Sequence, residues 1–290
     1  MIERREGVSC ESFYRDYVLT RRPVILTDAI TSWTALRKWS PGFFKTTFGD
    51  RLLPVGDENL TVSKFVDRVL QSSESEPAPY LMGTGDGRYL GDLFPELLPD
   101  IEPRPEHLWP NWLEDRFFPS GLTETLSRGS KAEIFFGGQG ARFSVLHWDY
   151  IAYHAFAFQI YGTKEWTLFA PSDSSNLYPK SDWPNQSKIN DLENPDLTRF
   201  PRFANARAFR SVLEPGEMLF VPWGWWHTTH LTGSSISVSI NTANASNWWA
   251  LVYWMFRFHP SLKSFLKAGI LATHPALRVL RSVHSPAHRS

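Results

Sequence analysis

The spacing of apolar positions changes character along the chain. In "NLTVSKFVDRVLQ", Val62, Phe65, Val66 and Val69 fall on one stripe at helical spacing, which predicts an amphipathic helix. Upstream, Phe13, Tyr17 and Leu19 in "SCESFYRDYVL" predict a helix that starts near Ser9 or Glu11. "RRPVILTDAI" predicts a buried strand introduced by Pro23, and "SPGFFKTTFGD" a short helix opening at Ser40-Pro41. Residues 71–120 are broken repeatedly by proline, from Pro77 to Pro119. They still carry Phe94, Trp109, Trp112, Phe117 and Phe118, so the expectation is an ordered loop with short helices.

From residue 131 to 245 the period is that of strands. "EIFFGGQGARFSVLHWDY" predicts two strands around a glycine-rich turn, and "AFAFQIYGTKEWTLFAP" two more hinged at Gly162. "FRSVLEPGEMLFVP" turns at Pro215-Gly216, and "SSISVSIN" alternates strictly. Its Ile236, Val238 and Ile240 share one face, and Ser235, Ser237, Ser239 and Asn241 share the other. One apolar and one small polar face suit the wall of a barrel that holds a polar ligand. The last segment, from "NWWALVYWMFRFH" onward, regains helical spacing, with breaks at Pro260 and Pro275.

Composition narrows the picture only slightly. Of 290 residues, 42% are hydrophobic and 21% charged, enough for a substantial core, and 15% aromatic content tilts toward a ligand pocket. Thirty basic and thirty acidic residues cancel, so no global charge favours nucleic acid or a membrane surface. Cys10 is the only cysteine, which excludes an internal disulfide and a thiolate metal cluster. No signal peptide and no bilayer-spanning run is evident, and an intracellular location, cytoplasmic or nuclear, is expected.

The candidate chemistry lies in "SVLHWD" and "VPWGWWH". On a strand, residues two apart point the same way, so His147 and Asp149 can address one point. Two histidines and a carboxylate with open positions form the facial triad of non-heme Fe(II) oxygenases. His227 is the natural third ligand, and His230 competes for that role. Lys164 shares its predicted strand face with Trp166 and Leu168; it either snorkels from the strand end or meets an anion such as a dicarboxylate. Asn241 and Ser239 need a partner on the inward face, whether ligand, water or a neighbouring strand. Trp148, Trp223, Trp225 and Trp226 are candidates for the cavity wall.

The run from "FFGGQGARFSVLHWDY" to "GTKEWTLFAPSD", followed by "LEPGEMLFVPWGWWHTTHL" and "SISVSIN", resembles the JmjC/cupin-like family of 2-oxoglutarate-dependent oxygenases. The likeness is greatest to its small hydroxylases, which include asparaginyl, lysyl and tRNA-base hydroxylases. The resemblance implies a mainly β fold with a double-stranded β-helix (jelly-roll) core, helical N-terminal elements and C-terminal helices. It implies an oxygenase domain over residues 1–245, with a leading segment 1–130 and the core at 131–245. Residues 246–290 would then form a helical extension, suited to a homodimer. It assigns Fe(II) to His147, Asp149 and His227, and 2-oxoglutarate to Lys164, Ser144, Asn241, Ser239 and Tyr80. With O2 as the other co-substrate, the implied reaction hydroxylates a protein side chain, an RNA base or a small molecule, releasing succinate and CO2. A metal-binding cupin without oxygenase activity and an N-methyl-lysine demethylase are the alternative readings. The sequence departs from the family at Ala155, where many relatives carry asparagine, beside His154.

Overall fold

The structure is a computed structural model and describes residues 1–83, 88–114, 131–143, 145–258, 269–273 and 275. Its strands are β1 (Glu3–Arg5), β2 (Val24–Leu26), β3 (Leu52–Val55), β4 (Glu58–Thr61), β5 (Leu81–Met82) and β6 (Glu133–Gly137). They continue with β7 (His154–Tyr161), β8 (Lys164–Phe169), β9 (Ala208–Leu213), β10 (Met218–Val221), β11 (Trp226–His230) and β12 (Ser235–Thr242). A seven-stranded sheet runs in the order β1-β2-β10-β7-β12-β6-β5, and a three-stranded sheet in the order β11-β8-β9. From β7 onward the chain passes back and forth between the two sheets, which is the jelly-roll path. The fold is mainly β with flanking helices, as the alternating pattern predicts.

Side-chain alternation sorts each strand between two cores. Ile236, Val238 and Ile240 of β12 join Phe156, Phe158 and Phe220 on the outer face of the large sheet. There they pack against Phe13, Trp33, Phe44, Phe65 and Val66 of the N-terminal helical layer. Trp33 meets Phe158 at 4.9 Å between ring centroids, and Phe65 meets Phe136 edge-on at 5.1 Å. Each such ring or branched chain contributes about 1.5–3 kcal/mol when withdrawn fully from water. Between the sheets, Ala155, Ala157, Leu219 and Val221 face Trp166, Leu168 and Leu213.

The helical layer forms where the sequence signals it. Ser40 caps the helix Pro41–Phe48, its hydroxyl accepting from the Phe43 N–H at 3.1 Å. Thr61 caps Val62–Gln71 in the same way, and the four residues of the predicted stripe are all buried. One stripe shifts. The α-helix Cys10–Phe13 widens into a π-helical turn at Tyr14–Val18, and the Leu19 N–H reaches back five residues to the Tyr14 carbonyl. The added residue turns Val18 into the core and leaves Leu19 exposed.

One further expectation needs correction. Among its described residues, the stretch after the glycine-rich turn is not a continuous strand; these pair at isolated bridges, Arg142 with His230 and His147 with both Gln186 and His227. The described part of the C-terminal segment packs on the barrel. Helix Trp248–Phe258 buries Trp248 and Leu251 against Trp112, Leu113 and Leu271, and lays Trp254 against Trp148. Most of the other expected C-terminal helices, and Phe117 and Phe118, lie outside the described residues. Among the described residues no helix is long and apolar enough to cross a membrane.

Gly162 links β7 to β8 with φ of +62°, and a β-carbon there would stand 2.0 Å from the Ser234 carbonyl oxygen. Gly216 joins β9 to β10 with φ of +92° and has nothing within 4 Å. Gly162→Ala is therefore expected to lose at least about 2 kcal/mol more unfolding free energy than Gly216→Ala in urea denaturation. Similar losses would show that backbone strain alone, not the close approach, sets both.

Candidate metal centre

His147 and His227 are cross-strand neighbours. The His147 N–H donates to the His227 carbonyl at 3.1 Å, and the His227 N–H donates to the His147 carbonyl at 2.6 Å. This reciprocal pair holds the two rings 4.4 Å apart between centroids. Asp149 then brings one carboxylate oxygen to 3.9 Å from His147 Nε2 and 3.6 Å from His227 Nε2. One donor atom from each residue lies within 4.8 Å of the others, a group that could hold a metal ion.

The local backbone fixes which nitrogen faces inward. His147 Nδ1 lies 2.9 Å from the Val145 carbonyl, and His227 Nδ1 lies 3.1 Å from the Trp225 carbonyl. A carbonyl only accepts, so each Nδ1 carries the proton and each Nε2 offers its lone pair toward Asp149. Phe143 stacks on the His147 ring at 4.4 Å. After Asp149 the chain makes a tight turn in which Ile151 has φ of +53° and Ala152 has φ of +60°. A β-branched residue in that region is strained. Asn247 holds the turn by donating from its amide to the Ala152 carbonyl at 2.9 Å, and Tyr150 packs on Phe258.

The three side chains open onto a cavity of about 660 Å³ between the sheets. Lys164, Ser239 and Asn241 line it, as the alternation predicts. Lys164 is 3% exposed and donates to the Ser237 hydroxyl. Its ammonium sits over Phe135 at 4.8 Å and near the Tyr80 ring at 5.9 Å. The Tyr80 hydroxyl is buried beside Thr229. Ser144 lies outside the described residues. His230 sits three residues beyond His227 and so falls on the opposite face, where its ring meets Glu74 at 2.7 Å and Glu165 at 3.1 Å.

Burial drives every ionisable group here toward its neutral form. It lowers His147 to about 4, helped by the charge on His227, and lowers His227 to about 4. It raises Asp149 to about 6 and lowers Lys164 to about 7. Glu133, which the motif reading missed, also lines the cavity and is pushed up to about 8 by burial and then by the charge of Asp149. Its signal was present in "AEIFFG", where Glu133 and Phe135 alternate with the buried Ile134 and Phe136.

The proposed tryptophan wall is replaced. None of Trp148, Trp223, Trp225 and Trp226 lines the cavity; Trp166 and Trp183 do. Trp226 precedes His227 in β11, so strand alternation sends it outward, and Trp148 packs on Trp254 of the C-terminal helix. Trp226 donates instead to the Ser174 hydroxyl at 2.9 Å. At the position where the family often has asparagine, Ala155 faces the cavity, while His154 is fully buried and bonded to Ser246 Oγ at 2.9 Å.

Asp149 links this geometry to stability. Its pKa in the folded state lies above the ordinary 3.8, so the folded protein binds that proton more tightly than the unfolded chain does. The resulting penalty is full above about pH 6, amounts to at most about 3 kcal/mol, and fades as pH falls toward about 4. In chelator-treated protein, Asp149→Asn should raise stability at about pH 7.5 and lose that advantage by about pH 4, read by urea denaturation across pH. A loss of stability at every pH would mean that fixed partners, not burial, dominate the carboxylate.

Residues 54–249 match the cupin-like domain family. The chain is 30% identical over 263 residues to a protein named lysine-specific demethylase JMJ30 from Arabidopsis thaliana, covering 86% of this chain and 54% of that relative. It is 28% identical over 269 residues to the human bifunctional peptidase and (3S)-lysyl hydroxylase JMJD7, covering 79% of each. It is 26% identical over 259 residues to tRNA wybutosine-synthesizing protein 5 from Danio rerio, covering 80% of this chain and 72% of that protein. The chain spans about half the length of the first of these relatives. The matched span, the jelly-roll path and the clustered His147, Asp149 and His227 agree, and the chain belongs to the JmjC/cupin-like family.

Proposed function

We propose that this protein is an Fe(II)- and 2-oxoglutarate-dependent oxygenase that hydroxylates its substrate, with residues 1–245 as the catalytic unit. His147, Asp149 and His227 would hold the ferrous ion, and Lys164 with Asn241, Ser239, Tyr80 and Ser144 would surround 2-oxoglutarate. The observation that carries this reading is Lys164. An ammonium with three N–H donors is buried in the same cavity as the triad, and among the described residues its one hydrogen-bond partner is Ser237. Such a group is costly to bury unless an anion meets it.

The residues present fit the two groups. Two neutral imidazoles with inward lone pairs and one carboxylate are the donor set of the facial triad. Lys164 stands four residues along β8 from Leu168, which pairs with His227. At about 3.3 Å per residue that places its backbone roughly 13 Å along the strand from the level of the triad. A lysine stem reaching back along that span leaves room for a short dicarboxylate. When bound, the metal and 2-oxoglutarate supply oxygen activation coupled to oxidative decarboxylation. The chain's own part is to orient and to exclude water. The Val145 and Trp225 carbonyls fix the imidazole tautomers, the small side chains of Ala155 and Ala157 leave volume, and Trp166 closes one wall.

Anaerobic titration of the metal-free protein with Fe(II) and 2-oxoglutarate should give a saturable visible charge-transfer band that is absent in His147→Ala. Lys164→Met should weaken 2-oxoglutarate binding by about 100-fold while Fe(II) still binds, since the lost contact is a buried charge-assisted one. Metal binding without a band in the wild type would sink the oxygenase reading in favour of a metal-binding cupin. Fe(II) affinity should be level above about pH 7 and fall about tenfold per pH unit below about 6, because Asp149 must then release a proton while both imidazoles stay neutral. An affinity already falling at about pH 8 would contradict that assignment.

A further inference from the structure

His154 stands where alternation calls for an apolar side chain. It opens β7, whose Phe156 and Phe158 share its face and pack against the helical layer. Its ring is fully buried, with the ring of Phe220 at 5.4 Å. Burial first, and then the nearby charge of Arg21, lower it to about 3, so the imidazole is uncharged at neutral pH. A phenyl ring would fill such a place with no polar group to satisfy.

The two ring nitrogens have different tasks. The Trp223 N–H, 3.3 Å from Nδ1, can only donate, so Nδ1 accepts and the proton sits on Nε2. Nε2 then donates to Ser246 Oγ at 2.9 Å, and the Ser246 hydroxyl donates in turn to Asn244 Oδ1 at 2.7 Å. The direction of every bond in this series is fixed.

Each end of the series meets a segment that carries a candidate ligand. Trp223 lies in the link between β10 and β11, two residues before Trp225, whose carbonyl orients the His227 ring. Asn244 lies in the turn between β12 and the helix Trp248–Phe258. Its N–H donates to Asn247 Oδ1 at 2.8 Å, while the Asn247 amide donates to the Ala152 carbonyl at 2.9 Å. The Ala152 N–H returns to the Asp149 carbonyl at 3.1 Å. From the opposite face of β7 to the cavity, His154 thus joins the approach to His227 with the exit from Asp149.

We infer that His154 is a positioning residue of the metal centre, holding the Asp149 carboxylate in place relative to His227 through its bonds to Trp223 and Ser246. This rests on the reading of His147, Asp149 and His227 as metal ligands. The backbone bridge between His147 and His227 fixes the imidazoles against each other. The series through His154 fixes the carboxylate against them.

The test measures Zn(II) affinity of the metal-free full chain by competition with a chromophoric chelator, beside urea denaturation of each metal-free variant. His154→Phe is expected to weaken Zn(II) binding by about tenfold or more, and Ser246→Ala by about threefold. The double variant should bind no more weakly than His154→Phe alone, because both substitutions break one series. His154→Asn keeps an acceptor for the Trp223 N–H and should recover part of the affinity. The Fe(II)/2-oxoglutarate absorption band should move in His154→Phe and return toward its wild-type position in His154→Asn. Val66→Ala opens a cavity in the helical layer and lowers stability by another route; its Zn(II) affinity should stay within about twofold of wild type.

A His154→Phe affinity within about twofold of wild type overturns the inference. A double variant that shows the full product of the two single losses overturns it too, as does a Val66→Ala loss as large as that of His154→Phe. If His154→Phe does not fold, wild-type affinity in both Ser246→Ala and His154→Asn overturns it instead. A wild type that binds no Zn(II) defeats the metal-centre reading itself. One that binds Zn(II) but gives no band with Fe(II) and 2-oxoglutarate defeats only the oxygenase reading, and the affinities still decide the role of His154.

Discussion

Everything at the centre depends on one backbone pairing. The two N–H to carbonyl bonds exchanged by His147 and His227 join a loop to β11, although the residues are eighty positions apart in sequence. With that bridge formed, both imidazoles face one point, and Asp149 needs only an extended step of two residues to reach it. The remainder of the loop is secured separately. Asn247 grips the Ala152 carbonyl, Trp148 and Tyr150 lean on Trp254 and Phe258, and the Trp148 N–H donates to the Asn185 carbonyl at 3.0 Å. The helix Trp248–Phe258 thus supports the geometry of the candidate ligands, and the strained backbone of Ile151 and Ala152 persists because several contacts over-determine it.

The electrostatics follow from the enclosure. Desolvation lowers the two histidines and Lys164 and raises Asp149 and Glu133, so each group moves toward neutrality. A cavity of this kind favours whatever supplies opposite charge at the right place. Cations suit the triad, an anion suits Lys164, and the two demands sit at different depths of one barrel. Their separation along β8 is what turns a collection of polar residues into an ordered site. The paired and exposed charges elsewhere, such as Arg68 with Glu58, are screened by solvent and shape little of this.

Much of this architecture is legible in the chain. The strict alternation of "SSISVSIN" becomes β12, with Ile236, Val238 and Ile240 against the helical layer and Asn241 toward the cavity. The stripe of Val62, Phe65, Val66 and Val69 and the caps at Ser40 and Thr61 form as local chemistry dictates. The misreadings share a cause. Alternation says which residues share a face but not which of them touch, so it left open that Ser237 receives the Lys164 ammonium. The tryptophans beside the histidines were candidates for the wall, yet adjacency to His227 in β11 turns Trp226 away from it, and Trp148 packs on Trp254. A π-helical turn displaced Leu19, because one inserted residue breaks the spacing on which the stripe was read.

By itself the sequence determined the periods, the caps, the turn glycines and the set of residues able to serve a metal and an anion. These are properties of short stretches, where neighbours along the chain decide the outcome. Tertiary structure alone exposed Glu133 to the same cavity as Asp149, and directed His154 away from it toward Ser246. Each of those outcomes rests on a register between distant strands. A side chain's face is fixed by its own strand, but what it meets there is fixed by which strand packs opposite.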